Sequence, residues 1–226
     1  MKIYGVPLSV HTRKVIVAAR LKQIPFDLEI VIPVVPGNPP PDWRAISPTG
    51  LIPAIEDDGF RLADSTAIVS YFERTHPEPA LLPVDDREYG AALFLDAWAG
   101  SALFRDVIHP LFHNQIVGPK IRNLPGNQAA IDKAKDKAAP EALTYIEGLQ
   151  PERFLIGGKL SIADIAIVSN LILFHYLGYR IGAKFPKLEA YFRRHLESPV
   201  LGAALIEEKP FADQMGLDRS FLHQRS

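Results

Sequence analysis

His76-Pro77-Glu78-Pro79-Ala80-Leu81-Leu82-Pro83 sets three prolines within seven residues. Neither a helix interior nor a central strand accommodates that density, because each proline lacks a backbone N–H and has a fixed φ. The stretch is therefore a joint, and the hydrophobic pattern changes period across it.

On the N-terminal side, Lys2 to Val6 reads as a short strand closed by Pro7. Val10 to Leu21 reads as a helix with Val15, Ala18, Ala19 and Leu21 on one broad face, and Phe26 to Ile32 alternates apolar and acidic residues as a half-buried strand. Strand, helix, strand predicts a parallel pair with a right-handed crossover. A Pro-rich loop follows, then a helical turn at Trp43 to Ile46. Pro53 to Glu56 and Phe60 to Leu62 flank Asp57-Asp58-Gly59 as a β-hairpin, and a helix from about Ser65 to Arg74 buries Ala67, Ile68, Tyr71 and Phe72. The order βαβ then ββα is that of a thioredoxin-like domain. Its expected limits are residues 1–76, with a linker at 77–87 and an all-helical domain over 88–226, so the fold class is α+β with two domains.

In the second part, helices are expected at about 86–117, 128–149, 162–177, 186–197 and 199–207, with Pro110 kinking or ending the first. Ser161-Ile162-Ala163-Asp164 forms a capping box with Asp in place of Glu or Gln. The helix it opens is apolar nearly all round, which predicts the buried centre of a bundle.

Composition removes several classes of function. The 226 residues carry 25 Lys+Arg against 26 Asp+Glu, a formal net charge of -1 with no basic stripe, so nucleic acid and anionic membrane surfaces are not expected partners. There is no cysteine, hence no disulfide framework, no CxxC pair and no protein thiolate nucleophile. Met1 to Pro7 lacks the apolar core of a secretory signal, and Ile162 to Leu177 is interrupted by Asp164, Asn170 and His175, so a cytoplasmic location is expected. No phosphate-cradling glycine loop follows a strand. His109 and His113 stand four apart on a helix, but Pro110 lies between them and no acid completes an HExxH arrangement, so no metal site is expected.

Three segments of the first domain carry possible chemistry. Pro7-Leu8-Ser9-Val10-His11-Thr12-Arg13-Lys14-Val15 places a hydroxyl where a strand gives way to a helix, with unpaired N–H groups and the positive end of the helix dipole nearby. Ser47-Pro48-Thr49-Gly50-Leu51-Ile52-Pro53-Ala54-Ile55 puts a proline at a strand start, where a cis bond would present the preceding backbone to a peptide-like ligand. Asp64-Ser65-Thr66-Ala67-Ile68 opens a helix with a carboxylate and a hydroxyl. Each also serves as an ordinary helix cap or loop.

Taken in order and spacing, these three segments, the box Ser161 to Asp164 with Phe154-Leu155-Ile156-Gly157-Gly158 before it, and Phe185-Pro186-Lys187-Leu188 after it resemble a cytosolic glutathione transferase over nearly the whole chain. Ser9, two residues after Pro7, is similar to the serine-type classes (phi, delta and theta) in a bacterial-style member. The resemblance implies glutathione as co-substrate, no metal, a detoxifying transfer to an electrophilic, apolar small molecule, and a homodimer. It implies that Ser9 hydrogen-bonds the glutathione sulfur, that Ile52 before a cis-Pro53 pairs with the cysteinyl backbone, and that Asp64 and Ser65 receive the γ-glutamyl end. Tyr4, His11 and Thr12 are rivals for the activating role. Gly50 stands where delta-type relatives often carry histidine, and no Lys or His lies between Gly37 and Asp42 to meet the glycyl carboxylate, leaving Trp43 and Arg44 as substitutes. The acceptor pocket is expected where Val10 meets Leu103, Phe104, Phe112 and Ile116. Two other functions share this fold and site: a non-catalytic binding or interaction protein, and a glutathione-dependent isomerase.

Overall fold

The computed structural model describes residues 1–223; the last positions of the expected helical domain, 224–226, lie outside the described residues. Strands β1 (Lys2–Gly5), β2 (Asp27–Ile30), β3 (Ala54–Asp57) and β4 (Phe60–Ala63) form one sheet in the order β2-β1-β3-β4. β1 and β2 are parallel, while β3 runs antiparallel to both β1 and β4. The hairpin turns through Asp58 and Gly59, both at positive φ. β2 is an edge strand and more exposed than its alternating pattern suggested.

Period-two alternation divides the sheet faces. Ile3 and Ile55 point into the main core with helices α1 (Val10–Leu21) and α3 (Ser65–Thr75), whereas Tyr4 and Ala54 meet Trp43 and Ile46 of the short helix α2 (Trp43–Ile46) on the other face. In α3 the buried apolar residues are Ile68, Val69 and Phe72; Ala67 and Tyr71 are half-buried.

The helical part contains α4 (Asp86–Trp98), α5 (His109–Phe112), α6 (Gln128–Lys133), α7 (Ala139–Gly148), α8 (Ile162–Tyr176), α9 (Pro186–Leu196) and α10 (Pro199–Gln214), with a 3₁₀ turn at Ser220–Leu222. Pro110 does not end the first long helix. The chain continues helically to Ile121 by winding as π-helix over Ala99–Ile108 and His113–Ile121, and a third π segment covers Ala134–Ala138. Each π segment holds the residue four before a proline: Asp106 before Pro110, Gln115 before Pro119, and Asp136 before Pro140. A proline ring clashes with that carbonyl in an α-helix, and the wider i→i+5 winding relieves the clash. Helix α10 likewise runs past the expected end at residue 207 and through Pro210 to Gln214, because Glu208 and Ala212 are fully buried and hold it down.

Every residue of α8 is buried, and α1 lies against it. Two adjacent cations of α1 join the two parts. Arg13 donates to Glu208 of α10 at 2.5 and 2.8 Å and to the Ser169 carbonyl of α8 at 2.6 Å, with no exposed side-chain surface. Lys14 Nζ reaches Asp96 of α4 at 2.5 Å and Thr66 Oγ1 of α3 at 2.9 Å, while that hydroxyl donates to Asp96 at 2.6 Å. The proline-rich joint is pinned by Lys22, which donates to the His76 and Pro79 carbonyls and pairs with Glu73 at 2.5 Å. Among the described residues no helix is long and apolar enough to cross a membrane.

Candidate active site

The register of the sheet gathers the three candidate segments at one end. Tyr4 pairs with Ala54 and Ala54 with Ala63, so these residues form one row across β1, β3 and β4. Ser9 follows that row after the β1–α1 turn, Ile52-Pro53 immediately precedes it ahead of β3, and Asp64-Ser65 immediately follows it after β4. The N-termini of α1 and α3 therefore open at the same edge, where two sets of unpaired N–H groups favour a negatively charged ligand.

Ser9 is the N-cap of α1, half-buried, and its Oγ accepts from Thr12 N at 3.4 Å. A hydroxyl that accepts through a lone pair keeps its own O–H to donate outward. The rivals are placed less favourably. Tyr4 lies on the α2 face with its ring centroid 6.0 Å from that of Trp43, and burial pushes its phenol above the ordinary range. Thr12 is fully buried, its Oγ1 only 2.5 Å from where a Cβ on Gly5 would stand, which is why that strand end carries glycine. His11 turns toward the helical part, edge-on to Phe104 at 4.7 Å. Burial first, then the Lys14 charge, lowers the His11 pKa to about 4, so the imidazole is neutral at pH 7.

The Ile52–Pro53 peptide bond is cis, and Ile52 has no backbone hydrogen bond among the described residues, leaving its N–H and C=O for a ligand. Asp64 caps α3 through one oxygen, Oδ1 accepting from Thr66 N at 2.9 Å and Ala67 N at 3.0 Å. It sits at φ 81°, ψ 127°, a conformation that costs a non-glycine residue about 1–3 kcal/mol. Ser65 beside it is buried. Of the two substitutes at the loop, Trp43 is buried with Nε1 donating to the Gly50 carbonyl at 3.0 Å. Arg44 is exposed, donates to the Pro48 carbonyl at 2.8 Å, and lays its guanidinium over Gly50, where a Cβ would come within 2.8 Å of Cζ.

The cleft between the two parts is lined differently from expectation. Phe104 continues from His11 to His109, with ring centroids 5.9 Å apart, and His109 stacks on His113 at 5.4 Å. Leu103 and Ile116 instead belong to the buried core; Leu103 borders a small void with Ala139 and Leu143 of α7. Among the described residues no group of three or more His, Asp or Glu side chains stands ready to hold a metal. Arg13 and Lys14 stand side by side on the buried face of α1. Two cations on the buried stripe of an amphipathic helix were the available signal that acids, here Glu208 and Asp96, must come from other elements.

A four-stranded thioredoxin-like sheet with a cis-proline edge, followed by a helical bundle, defines the class of fold. Residues 3–80 match the glutathione S-transferase N-terminal domain family and residues 104–199 the C-terminal domain family, so the chain belongs to the glutathione S-transferase family. It is 26% identical over 210 residues to human glutathione S-transferase theta-1, covering 92% of this chain and 86% of that one. It is 25% identical over 213 residues to FtsZ-localized protein A of Caulobacter vibrioides, covering 92% of each. A solved glutathione S-transferase from Rhodospirillum rubrum superposes with a TM-score of 0.83 at 26% identity, over 90% of this chain and 91% of that one.

Proposed function

We propose that the chain is a glutathione transferase in which Ser9 donates a hydrogen bond to the glutathione sulfur and holds it as a thiolate for attack on an electrophilic, apolar substrate. The observation that carries this reading is the free O–H of Ser9 at the mouth of α1, on the same sheet edge as the open Ile52 backbone and the strained Asp64. Free thiols ionise near pH 8.5, and lowering that by about two units requires about 2.7 kcal/mol of preference for the charged form. One charge-assisted hydrogen bond plus a helix N-terminus supplies a sum of that size. Ser9 orients and stabilises and takes no part as a nucleophile.

In the same reading, Ile52 and Pro53 hold the cysteinyl portion, Asp64 Oδ2 takes the γ-glutamyl ammonium, and Ser65 with the α3 N-terminus takes its carboxylate. Arg44, rather than the occupied Trp43, meets the glycyl carboxylate. Neutral His11 and the rings beyond it form the acceptor wall. Residues 1–76 bind glutathione and residues 88–226 the electrophile, in a cytoplasmic homodimer working in detoxification.

The test is absorbance of the bound thiolate as pH is varied at saturating glutathione. An apparent thiol pKa about two units below that of free glutathione is expected, returning toward 8.5 in Ser9→Ala with affinity largely kept. An unshifted pKa with tight binding overturns the transferase assignment. It would favour a second reading, a binding protein of this fold, which the relative named for its localisation with FtsZ and the missing glycyl-end Lys or His support.

A further inference from the structure

The glutathione site uses one end of the sheet, whereas the flank formed by β2 has no role yet. Asp27 and Val31 donate to the Met1 and Gly5 carbonyls, so the odd positions of this strand serve β1. Alternation then turns the N–H and C=O of Leu28 and Ile30 outward, where no strand receives them. Just past them the Ile32 N–H is taken by Asn38 Oδ1 at 2.6 Å, so the open edge ends with the strand.

The side chains divide by the same alternation. Leu28 and Ile30 lie on the face of Ile3, toward the core, while Asp27 and Glu29 lie on the face of Tyr4 and are exposed. Leu28 and Ile30 border a groove of about 490 Å³ with Ile24, Phe26 and Phe211 of α10, apolar except for Arg20 and Glu207. Arg20 lies over the Phe26 ring at 5.9 Å and pairs with Glu207 through Nη2. Its Nη1 is buried with no hydrogen-bond partner among the described residues, a donor that still lacks its acceptor.

These features fix what could cover the edge. A strand laid about 4.8 Å beyond β2 would pair with Leu28 and Ile30 and drop alternate side chains into the groove. An acceptor among them would satisfy Arg20. The intervening side chains would stand beside Asp27 and Glu29, of which only Glu29 has a cation, Lys2 at 3.5 Å, so basic residues fit there. The same acids disfavour a second copy, because β2 against β2 sets each acidic pair beside its duplicate.

We infer that β2 and its groove form a docking edge for an extended segment of another protein, alternating apolar with basic side chains and adding a fifth strand to the sheet. The inference stands apart from the glutathione reading.

The probe is a fluorescein-labelled peptide alternating valine with lysine. Its anisotropy should rise saturably at one peptide per chain and stay unchanged by excess S-hexylglutathione. A peptide of the same composition with valines and lysines in separate blocks should bind at least about tenfold more weakly, as should the alternating peptide N-methylated along its pairing edge. Asp27→Lys/Glu29→Lys, altered only at exposed positions, should also weaken binding about tenfold. Ile30→Pro, which removes an outward N–H and keeps the ladder to β1, should abolish it. The double variant carries the test if the proline variant does not fold. Equal binding of the block-order peptide would reduce the effect to charge attraction and overturn the inference. So would absence of binding, binding indifferent to the variants, displacement by S-hexylglutathione, or self-association of the chain lost in Ile30→Pro, which would give the edge to a second copy.

Discussion

Asp64 and Asp164 stand at the N-terminal ends of α3 and α8, and each has a histidine in its electrostatic field, yet they are used in opposite ways. Asp164 has no exposed surface. Its Oδ2 accepts from Ser161 N at 2.8 Å and Ser161 Oγ at 2.9 Å, and its Oδ1 from Leu155 N at 2.8 Å and Tyr191 Oη at 2.9 Å. Asp64 is exposed, spends only Oδ1 on the helix, and holds a backbone conformation suited to glycine. A carboxylate whose lone pairs all point inward is architecture. One that keeps an oxygen open at an energetic cost belongs to a site where something else recovers that cost.

The largest effect that would sharpen this contrast is on stability. A simple capping box is worth about 0.5–2 kcal/mol. Asp164→Ala leaves four donors without their acceptor in a dry interior, so urea unfolding should report a loss of about 3 kcal/mol or more. A loss below about 1 kcal/mol would erase the difference between the two aspartates.

Acid tests two buried histidines, one of them beside Asp64. Burial lowers His11, near Asp64, to about 4, and His175 in the α8 core to about 3. Their unfolded forms protonate near 6.5, so below that pH the unfolded chain binds protons that the folded chain refuses. Stability should therefore be full above about pH 6.5 and fall by up to about 1.4 kcal/mol per pH unit for each histidine down to pH 4. His175→Phe should remove one of those contributions and raise stability at neutral pH, since both ring nitrogens of His175 lack partners and the ring stacks on Phe192 at 4.5 Å. An unchanged slope would show that His175 is not the group responding.

At Asp64 the effect should move from folding to binding. Asp64→Gly suits the positive φ and costs the cap only a few tenths of a kcal/mol, so unfolding should hardly change. Glutathione affinity should fall about tenfold to hundredfold through the lost charge-assisted contact, with the bound thiol's pKa kept. Intact affinity would reduce Asp64 to a helix cap.

Asp164 was legible in sequence because Ser161 and Asp164 are local partners, and Asp64 because a carboxylate opened a helix after a hairpin. What did not show is the work done at long range. Tyr191 lies 27 positions from Asp164, and Glu208 lies 195 from Arg13; no periodicity links residues that distant. The same holds for helix ends. Pro110 reads as a kink or an end by local rules and the last helix as stopping at 207, and both are overridden, one by π winding and one by the burial of Glu208. The three segments at the sheet edge were readable because each carries its own turn chemistry, while the walls of the cleft were not, since Leu103 and Phe104 are adjacent and only the backbone winding decides which faces His11.

The smallest effect concerns the end of glutathione that the sequence left without a conventional receptor. Gly50 has no side chain, and the space a Cβ would fill is taken by the Arg44 guanidinium, so the missing group and the long cation are two halves of one arrangement. Arg44 is exposed, and one exposed charge contact is worth about 0.2–1 kcal/mol, or up to about fivefold in affinity. That is small enough to be confused with a general loss of order in the loop. The comparison that separates the two uses γ-glutamylcysteine, which lacks the glycyl residue. Arg44→Ala should weaken glutathione a few-fold and leave γ-glutamylcysteine unchanged, while Asp64→Gly should weaken both alike. Equal weakening of both ligands by Arg44→Ala would mean that the guanidinium only braces the Pro48 carbonyl and the loop behind Ile52, and the glycyl carboxylate would then be left to solvent.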